Sequence, residues 1–364
     1  MSLFKSGSKS CIGIDIGTSS IKMVQLKKSE GRFKLETYGE LQTYGYLERL
    51  NDPFHTKSLR MLETQVIELT KKLLKAAGAT AKDLALSVPI FSSFVSTIEI
   101  PPMSEEELSK ALIYEARRHV PIPLSEVRVD WRVIEKQKID SVKPNTKKNL
   151  FKYRVLLVAV PKEIIAKYLR IAKGLKLNLR ALELESFSYI RSLMGNDLSS
   201  ACILDIGARS TSFTIVDKGF LQMSHSLDIA GAELTRALAH GLGVDFKRAE
   251  LYKRQKGLDH KELIESNQEI KDIILTLVDK IVIEIERIID SYQTKTGRKI
   301  TKLVLSGGSG GLLGLRSYLE KKLNTKVIEG NPWARVVYPP VLEPILLELA
   351  PRFAVAVGLA MREI

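Results

Sequence analysis

The sequence predicts an α/β protein built by internal duplication. Two observations carry that reading. The apolar runs Cys11–Ile16 and Ala201–Ile206 each lead into Asp-Ile-Gly and a few small residues, and each is followed at once by a second apolar run. The two aspartates, Asp15 and Asp205, stand 190 positions apart, a domain-scale period that signals a repeated unit. The length fits as well, because 364 residues suit two domains or one large duplicated domain.

Taken in order, residues 11–16 and 21–26 read as strand, tight turn, strand. Residues 59–77 carry Leu62, Val66, Leu69, Leu73 and Ala77 at helical spacing, and Gly78 supplies a stop. Residues 85–88 and 95–100 read as strands, the second ended by Pro101-Pro102. Ser104 with Glu107 is a capping-box pattern opening a helix to about His119, where Pro121 and Pro123 break it. Residues 127–134 and 153–160 read as a strand pair. The stretch 135–154 between them carries seven Lys or Arg against Glu135 and Asp140, and reads as a solvated, mobile loop. Residues 201–206 and 212–216 repeat the opening hairpin. After Gly231 the chain turns helical, and residues 270–292 place isoleucines and Tyr292 on one helical face, the pattern of an amphipathic core helix. Residues 303–305 form a short strand running into Ser306-Gly307-Gly308-Ser309-Gly310-Gly311. Residues 352–361 read as a closing helix of small side chains.

Composition narrows the function. The hydrophobic share of 45% is that of a folded protein. A net charge of +14 favours anionic partners, but the sequence holds no zinc-finger spacing and no RNA-binding aromatic motif, so no nucleic acid is expected. Cys11 and Cys202 are the only cysteines. They exclude a disulfide framework and suit a reducing compartment. The first residues lack a signal peptide's apolar centre, and no uncharged apolar stretch reaches membrane-spanning length. A cytoplasmic location is expected.

Three glycine-containing turns follow three short strands: Asp15–Ser20, Asp205–Thr211 and Ser306–Gly311. Glycine lets the backbone approach a phosphate, and turned N–H groups bind its oxygens. Ser and Thr hydroxyls add donors. Asp15 and Asp205 would repel phosphate unless a divalent cation with its water shell stood between, so both are expected to hold Mg2+ through water. Each turn alone is an ordinary hairpin; the three in this order point to a metal–polyphosphate gripped from two sides, with the third turn at the nucleoside. Neither Gly-x-x-x-x-Gly-Lys-Ser/Thr nor Gly-x-Gly-x-x-Gly follows the first strand.

With its closing small-residue helix, this order resembles the actin-like ATPases, the superfamily of actin, DnaK-type chaperones, sugar kinases and FtsA. The resemblance implies an actin-like fold of two ribonuclease-H-like domains around ATP or ADP. Ala249-Glu250-Leu251-Tyr252-Lys253-Arg254 is similar to the chaperone stretch whose Glu and Lys touch the nucleoside, which adds Glu250 and Lys253. The expected nucleotide site is then Gly17, Thr18, Ser19, Ser20, Lys22, Gly207, Arg209, Ser210, Thr211, Gly231, Glu250, Lys253, Gly307, Gly308 and Ser309. Arg209 stands where other members have more glycine, and either pairs with a phosphate or points away. No catalytic base is recognisable.

Within the superfamily the sequence looks like the PilM family of type IV pilus assembly. The residues that carry this are Ile12-Gly13-Ile14-Asp15-Ile16-Gly17, Glu115-Ala116, His119-Val120-Pro121-Ile122-Pro123, Glu126-Val127-Arg128-Val129-Asp130, Leu204-Asp205-Ile206-Gly207-Ala208, Asn331-Pro332-Trp333 and Ala356-Val357-Gly358-Leu359-Ala360. That likeness implies a first domain over 1–200 with an FtsA-like insert at about 91–182, a second over 201–345, and a closing helix, 346–364, returning to the first. It also implies a groove for the cytoplasmic N-terminal peptide of a PilN-like inner-membrane protein, a link to the pilus motor ATPase, and membrane contact only through partners. The helix of Leu108, Leu112 and Ala116 either walls that groove or packs on its own sheet. FtsA carries a C-terminal amphipathic tail, whereas this sequence stops at Ile364, so recruitment through a partner is expected. Weak or absent hydrolysis is expected, and self-association stays open. The other readings are an FtsA-like filament-forming scaffold and, behind it, a sugar-kinase-type phosphotransferase.

Overall fold

The computed structural model describes residues 10–43, 62–101, 103–139, 150–258 and 265–362. The first half builds a sheet from β1 (Ser10–Ile16), β2 (Ser20–Ser29), β3 (Arg32–Gln42), β4 (Asp83–Val88) and, later, β8 (Asn178–Leu184). Helix α1 (Glu63–Ala76) lies between β3 and β4. The expected first turns of that helix fall partly outside the described residues.

Between β4 and β8 come β5 (Phe94–Ile100), α2 (Glu105–His119), β6 (Val127–Ile139), β7 (Leu150–Pro161) and α3 (Lys162–Leu175). Strands β5, β7 and β6, in that order, form a separate three-stranded antiparallel sheet. Helix α2 opens on the expected capping box: Ser104 Oγ accepts from Glu107 N at 3.3 Å, and Ser104 N donates to Glu107 Oε2 at 2.9 Å. Its Leu108, Leu112 and Ala116 are buried against this same small sheet, on Ile98, Ile100, Val155 and Leu157. The small sheet ends with β7 at Pro161. Strand β8 pairs with β4 in the large sheet, and α3 joins the core of that sheet through Tyr168 and Ile171.

The stretch 135–154 is strand at both described ends rather than loop. Strands β6 and β7 run on to Ile139 and from Leu150, and residues 140–149 lie outside the described ones. Glu135 and Arg154 face each other in the ladder and form an ion pair at 3.2 Å. Opposite charges directly across a strand pair support extension rather than a loop.

Helix α4 (Glu185–Tyr189) leads to β9 (Ala201–Ile206), β10 (Thr211–Asp217), β11 (Phe220–Leu227), α5 (Gly231–Gly241), α6 (Phe246–Lys256), α7 (Glu265–Thr296), β12 (Lys302–Ser306), α8 (Leu315–Leu323) and β13 (Lys326–Glu329). The second large sheet has the order β11-β10-β9-β12-β13. The first has β3-β2-β1-β4-β8, extended at β3 by the short β14 (Val336–Val337). In both, a central strand pairs antiparallel with its hairpin partner and parallel with the next strand outward. The duplication read from two loops therefore extends over five strands.

The central strands β1 and β9 are buried almost along their length. Strands covered on both faces read as continuous apolar runs. On α7, Ile270, Ile274, Val278, Ile281, Ile285, Ile288 and Tyr292 are buried against Phe213, Leu234 and Leu319.

The last helix, α9 (Glu343–Ala360), begins nine residues before the expected start at Arg352. Pro351 lies inside it. Proline has no N–H to give the preceding turn, and its carbonyl here accepts from Gly307 N at 2.7 Å and Ser306 Oγ at 3.1 Å. The helix thus touches the third glycine turn while Phe353, Ala356 and Val357 pack on Val24 and Leu26 of β2. Two glycines permit this path. A Cβ on Gly13 would sit 2.5 Å from Ala360 N, and one on Gly358 2.7 Å from the carbonyl carbon of Ser188 in α4.

Candidate functional site

The two Asp-Ile-Gly turns have one geometry. Gly17 N donates to Ser20 O at 3.1 Å, and Gly207 N to Ser210 O at 3.1 Å. In the ladders Asp15 faces Lys22 and Asp205 faces Ser212. The duplication reaches the flanking strands: Ser87 at the end of β4 donates to Asp15 Oδ1 at 3.4 Å, and Ser306 at the end of β12 hydrogen-bonds Asp205. Both serines close a Leu-x-Leu-Ser run, which would have revealed them in the sequence.

Both turns open on one cleft, and the third glycine turn and α9 close its far side. Gly307 holds φ at +88°, and a Cβ there would lie 2.6 Å from the carbonyl carbon of Ile206. The turn is pressed onto the end of β9, with Ser309 N bonded to Ile206 O at 2.9 Å. Gly308 differs: its Cβ direction meets nothing nearer than Arg352 at 3.9 Å, so it presents open backbone to the cleft. Gly231 N and Ala232 N, at the start of α5, donate to Gly207 O and Ala208 O and brace the second turn.

Of the expected residues, Asp15, Gly17, Thr18, Ser19, Ser20, Lys22, Asp205, Gly207, Arg209, Ser210, Gly231, Glu250, Lys253, Gly307, Gly308 and Ser309 line the cleft. Thr211 does not; it is fully buried and donates to Ile229 O at 2.7 Å. Lys253 lines the cleft but is already engaged. Its ammonium reaches Gly231 O at 2.9 Å, Thr235 Oγ1 at 2.9 Å and Glu250 Oε2 at 2.6 Å. Those bonds use all three of its protons, so it fixes α6 and Glu250 against α5. Burial lowers the Lys253 pKa, and Glu250 beside it opposes that shift. Arg209 places its guanidinium 5.4 Å from the Phe91 ring, spanning from the second turn to the segment after β4.

Further residues come from distant elements: Glu40 and Gln42 of β3, Phe91, Glu185 and Tyr189 of α4, Ser212, and Arg352 of α9. Arg352 pairs with Glu40 at 3.0 Å. Glu185, like Glu40 and Glu250, is a cleft carboxyl with no counterpart in the repeat. Glu185 accepts from Ile90 N at 3.2 Å, and burial, with Asp15 and Asp205 nearby, pushes its pKa well up. Burial also raises Asp205 to about 6, against hydrogen bonds from Tyr189 and Ser306.

These residues fit a hydrated divalent cation and a polyphosphate. Among the described residues no three Asp, Glu, His or Cys side chains gather tightly enough to grip a bare metal ion. Asp15, Asp205 and Glu185 nevertheless repel one another in a buried cleft, which a hydrated cation would relieve. Ser212 Oγ, buried and without a hydrogen-bond partner, offers a donor from the second wall. Metal and phosphate together would supply charge neutralisation, while the two turns position and the third turn closes.

The sequence profile of the family described as type IV pilus assembly protein PilM matches residues 13–364. The cell division protein FtsA of Staphylococcus epidermidis is 23% identical over 346 residues, covering 87% of this chain and 73% of that protein. Among solved structures, a PilM-PilN type IV pilus biogenesis complex aligns with a TM-score of 0.80 at 24% identity, over 97% of this chain and 98% of that one. EutJ of Carboxydothermus hydrogenoformans aligns at 0.56 and 13% identity, over 97% and 89%. MreB5 of Spiroplasma citri bound to AMPPNP aligns at 0.53 and 12%, over 96% and 94%. The fold is that of the actin-like ATPases, as the sequence predicts.

Proposed function

The chain belongs to the PilM family of type IV pilus assembly proteins, and from that premise we propose that it is a nucleotide-loaded assembly protein of the pilus inner-membrane platform. Mg-ATP or Mg-ADP fills the cleft between two domains, residues 1–200 and 201–345, with 346–364 closing onto the first. Asp15 and Asp205 hold the cation through water. The loaded chain captures the cytoplasmic N-terminal peptide of a PilN-like membrane protein and links it to the pilus motor ATPase.

The observation that supports this best is the matched pair of Asp-Gly turns, with equal hydrogen bonds and opposed across one cleft. The solved complex contains PilM with PilN, which supports a peptide of that kind as partner. Leu108, Leu112 and Ala116 pack inside the insert. Any contact from α2 to the peptide falls instead to Ile113 and Tyr114, which are 54% and 67% exposed. Among the described residues no helix is long and apolar enough to cross a membrane; the protein reaches the inner membrane through its partner.

Hydrolysis, where it occurs, we assign to Glu185 as the group orienting water: it lies beside Asp15 and Asp205, whereas the other unduplicated cleft carboxyls, Glu40 and Glu250, are held by Arg352 and by Lys253 and Arg254. Glu185→Gln is expected to keep nucleotide affinity and lose turnover. Equal turnover would remove Glu185 from that role.

The decisive experiment titrates N-terminal peptides of candidate membrane partners with and without Mg-ATP. Nucleotide at a hundredfold excess over its Kd stabilises the closed cleft by about 2.7 kcal/mol. Coupling between the sites must appear in both directions. Peptide affinity unchanged by nucleotide would remove the coupling, and absent peptide binding would remove the partner.

The FtsA likeness favours a second reading, a filament-forming scaffold. Nucleotide-dependent pelleting of the purified chain would support it, and a pellet-free result would exclude it.

A further inference from the structure

We propose that β6 pairs antiparallel with β6 of a second copy of this chain, about a two-fold axis at Trp131. The inference rests on a surface away from the nucleotide cleft.

Among the described residues, β6 is hydrogen-bonded to β7 alone, at one margin of the small sheet. Its other edge meets no strand over a span of 13 residues. Trp131 N–H is met at 2.8 Å by Asp130 Oδ1 of its own strand, where a further strand would bring a carbonyl. Arg128, Asp130, Arg132, Val133 and Lys136 are exposed.

A row of cations on an open edge usually blunts pairing. Here the signs are arranged so that a two-fold copy turns them into pairs. With Trp131 facing its own copy, Asp130 faces Arg132 and Val129 faces Val133, all before the register shift that follows Val133. Symmetry repeats each pairing on the other side of the axis. Opposite charges directly across an antiparallel pair stabilise it, and like charges there oppose it. Shifting the register by two would face Arg132 with Arg132, a clash at the centre. Asp130 and Arg132 lie on one face of the strand by its two-residue period. Arg132 is held near that face by the Phe220 ring, 5.7 Å from its guanidinium. The pairing would join two three-stranded sheets into one continuous sheet and end both open edges.

The test uses the full-length chain and measures molar mass by light scattering over a wide concentration range. The unaltered chain is expected to pass from monomer to dimer. Asp130→Arg and Arg132→Asp should each weaken self-association about tenfold or more, and the double variant should regain it, because the swap rebuilds the pair with its signs reversed. Asp130→Lys with Arg132→Glu repeats the test at the same pair should one of these variants fold poorly. Nucleotide binding reports folding in every variant. A chain that stays monomeric throughout overturns the proposal. Single variants that dimerise normally, or a double variant no better than the singles, overturn it as well.

Discussion

Gly358→Ala is expected to destabilise the protein and loosen its nucleotide cleft together. In an ordinary helix interior this change is favourable by about 1 kcal/mol, since alanine has the better helix propensity. Here the new methyl would lie 2.7 Å from the carbonyl carbon of Ser188, 2.8 Å from its Cα, and nearer still to its oxygen. Carbon atoms attract best at about 3.5–4 Å, so α9 and α4 must part by roughly 1 Å. The obstacle is backbone, which has no rotamer to escape into. Overpacking of this kind costs about 1–3 kcal/mol, and the absence of a yielding neighbour places it in the upper part of that range. Net destabilisation of about 1–2 kcal/mol remains after the propensity gain.

Gly174→Ala in α3 is the matched control. Its methyl would have side-chain atoms of Ile67 as its three nearest neighbours, with no backbone among them, so the cost should be smaller than at Gly358. Urea unfolding of both variants measures the difference. Because α4 also carries Glu185 and Tyr189 into the cleft, Gly358→Ala should weaken Mg-ATP binding in a fluorescent-nucleotide titration, and Gly174→Ala should not. A Gly358→Ala protein as stable as the unaltered chain, or with full nucleotide affinity, would refute the reasoning that this crossing positions the cleft.

Asp15→Ala and Asp205→Ala should each lower Mg-ATP affinity about 10–100-fold while leaving unfolding cooperative; unchanged titrations for both would contradict the cation assignment. Gly308→Val should crowd the cleft and cost nucleotide affinity with little loss of stability, whereas Gly307→Ala should cost stability, because its Cβ would strike the Ile206 backbone from a φ of +88°; circular dichroism melts beside nucleotide titrations separate the two. Glu135 titrates at about 2, chiefly through its hydrogen bond from Arg298 and a further one from Lys218. A depressed carboxylate contributes stability that is complete above its ordinary value near 4.5 and is lost as pH falls toward about 2. Urea midpoints should therefore drop more between those pH values for the unaltered chain than for Glu135→Gln, and parallel curves would show that the network carries no stability.

The sequence revealed what is local. Asp-Ile-Gly turns, the Ser104–Glu107 cap and the isoleucine stripe of α7 are all written within one or two turns of chain. The duplication was visible because its loops are short and chemically distinctive, and the matched serines Ser87 and Ser306 were within reach through their shared Leu-x-Leu-Ser runs. Glu40, Phe91, Glu185 and Arg352 were not. Each is an unremarkable residue in its own segment and joins the site only when the sheets fold around it. Pro351 hid the first turns of α9, since a proline ordinarily marks a boundary and only the third glycine turn explains its place. The charge of 135–154 hid two strand ends, because Glu135 finds Lys218 and Arg298 from far along the chain.

At two matched positions the repeats differ in charge: the partner of Asp15 is Lys22 and that of Asp205 is Ser212, while Arg209 stands where the first turn has Ser19. A clasp with identical jaws would accept an elongated anion threaded either way round. The two cations stand at unmatched places in the repeat, so the two jaws differ, and a chain of phosphates laid between them would have a defined head and tail. A repeat with matching charges would be indifferent to orientation; Lys22 on one side and Arg209 on the other break that symmetry.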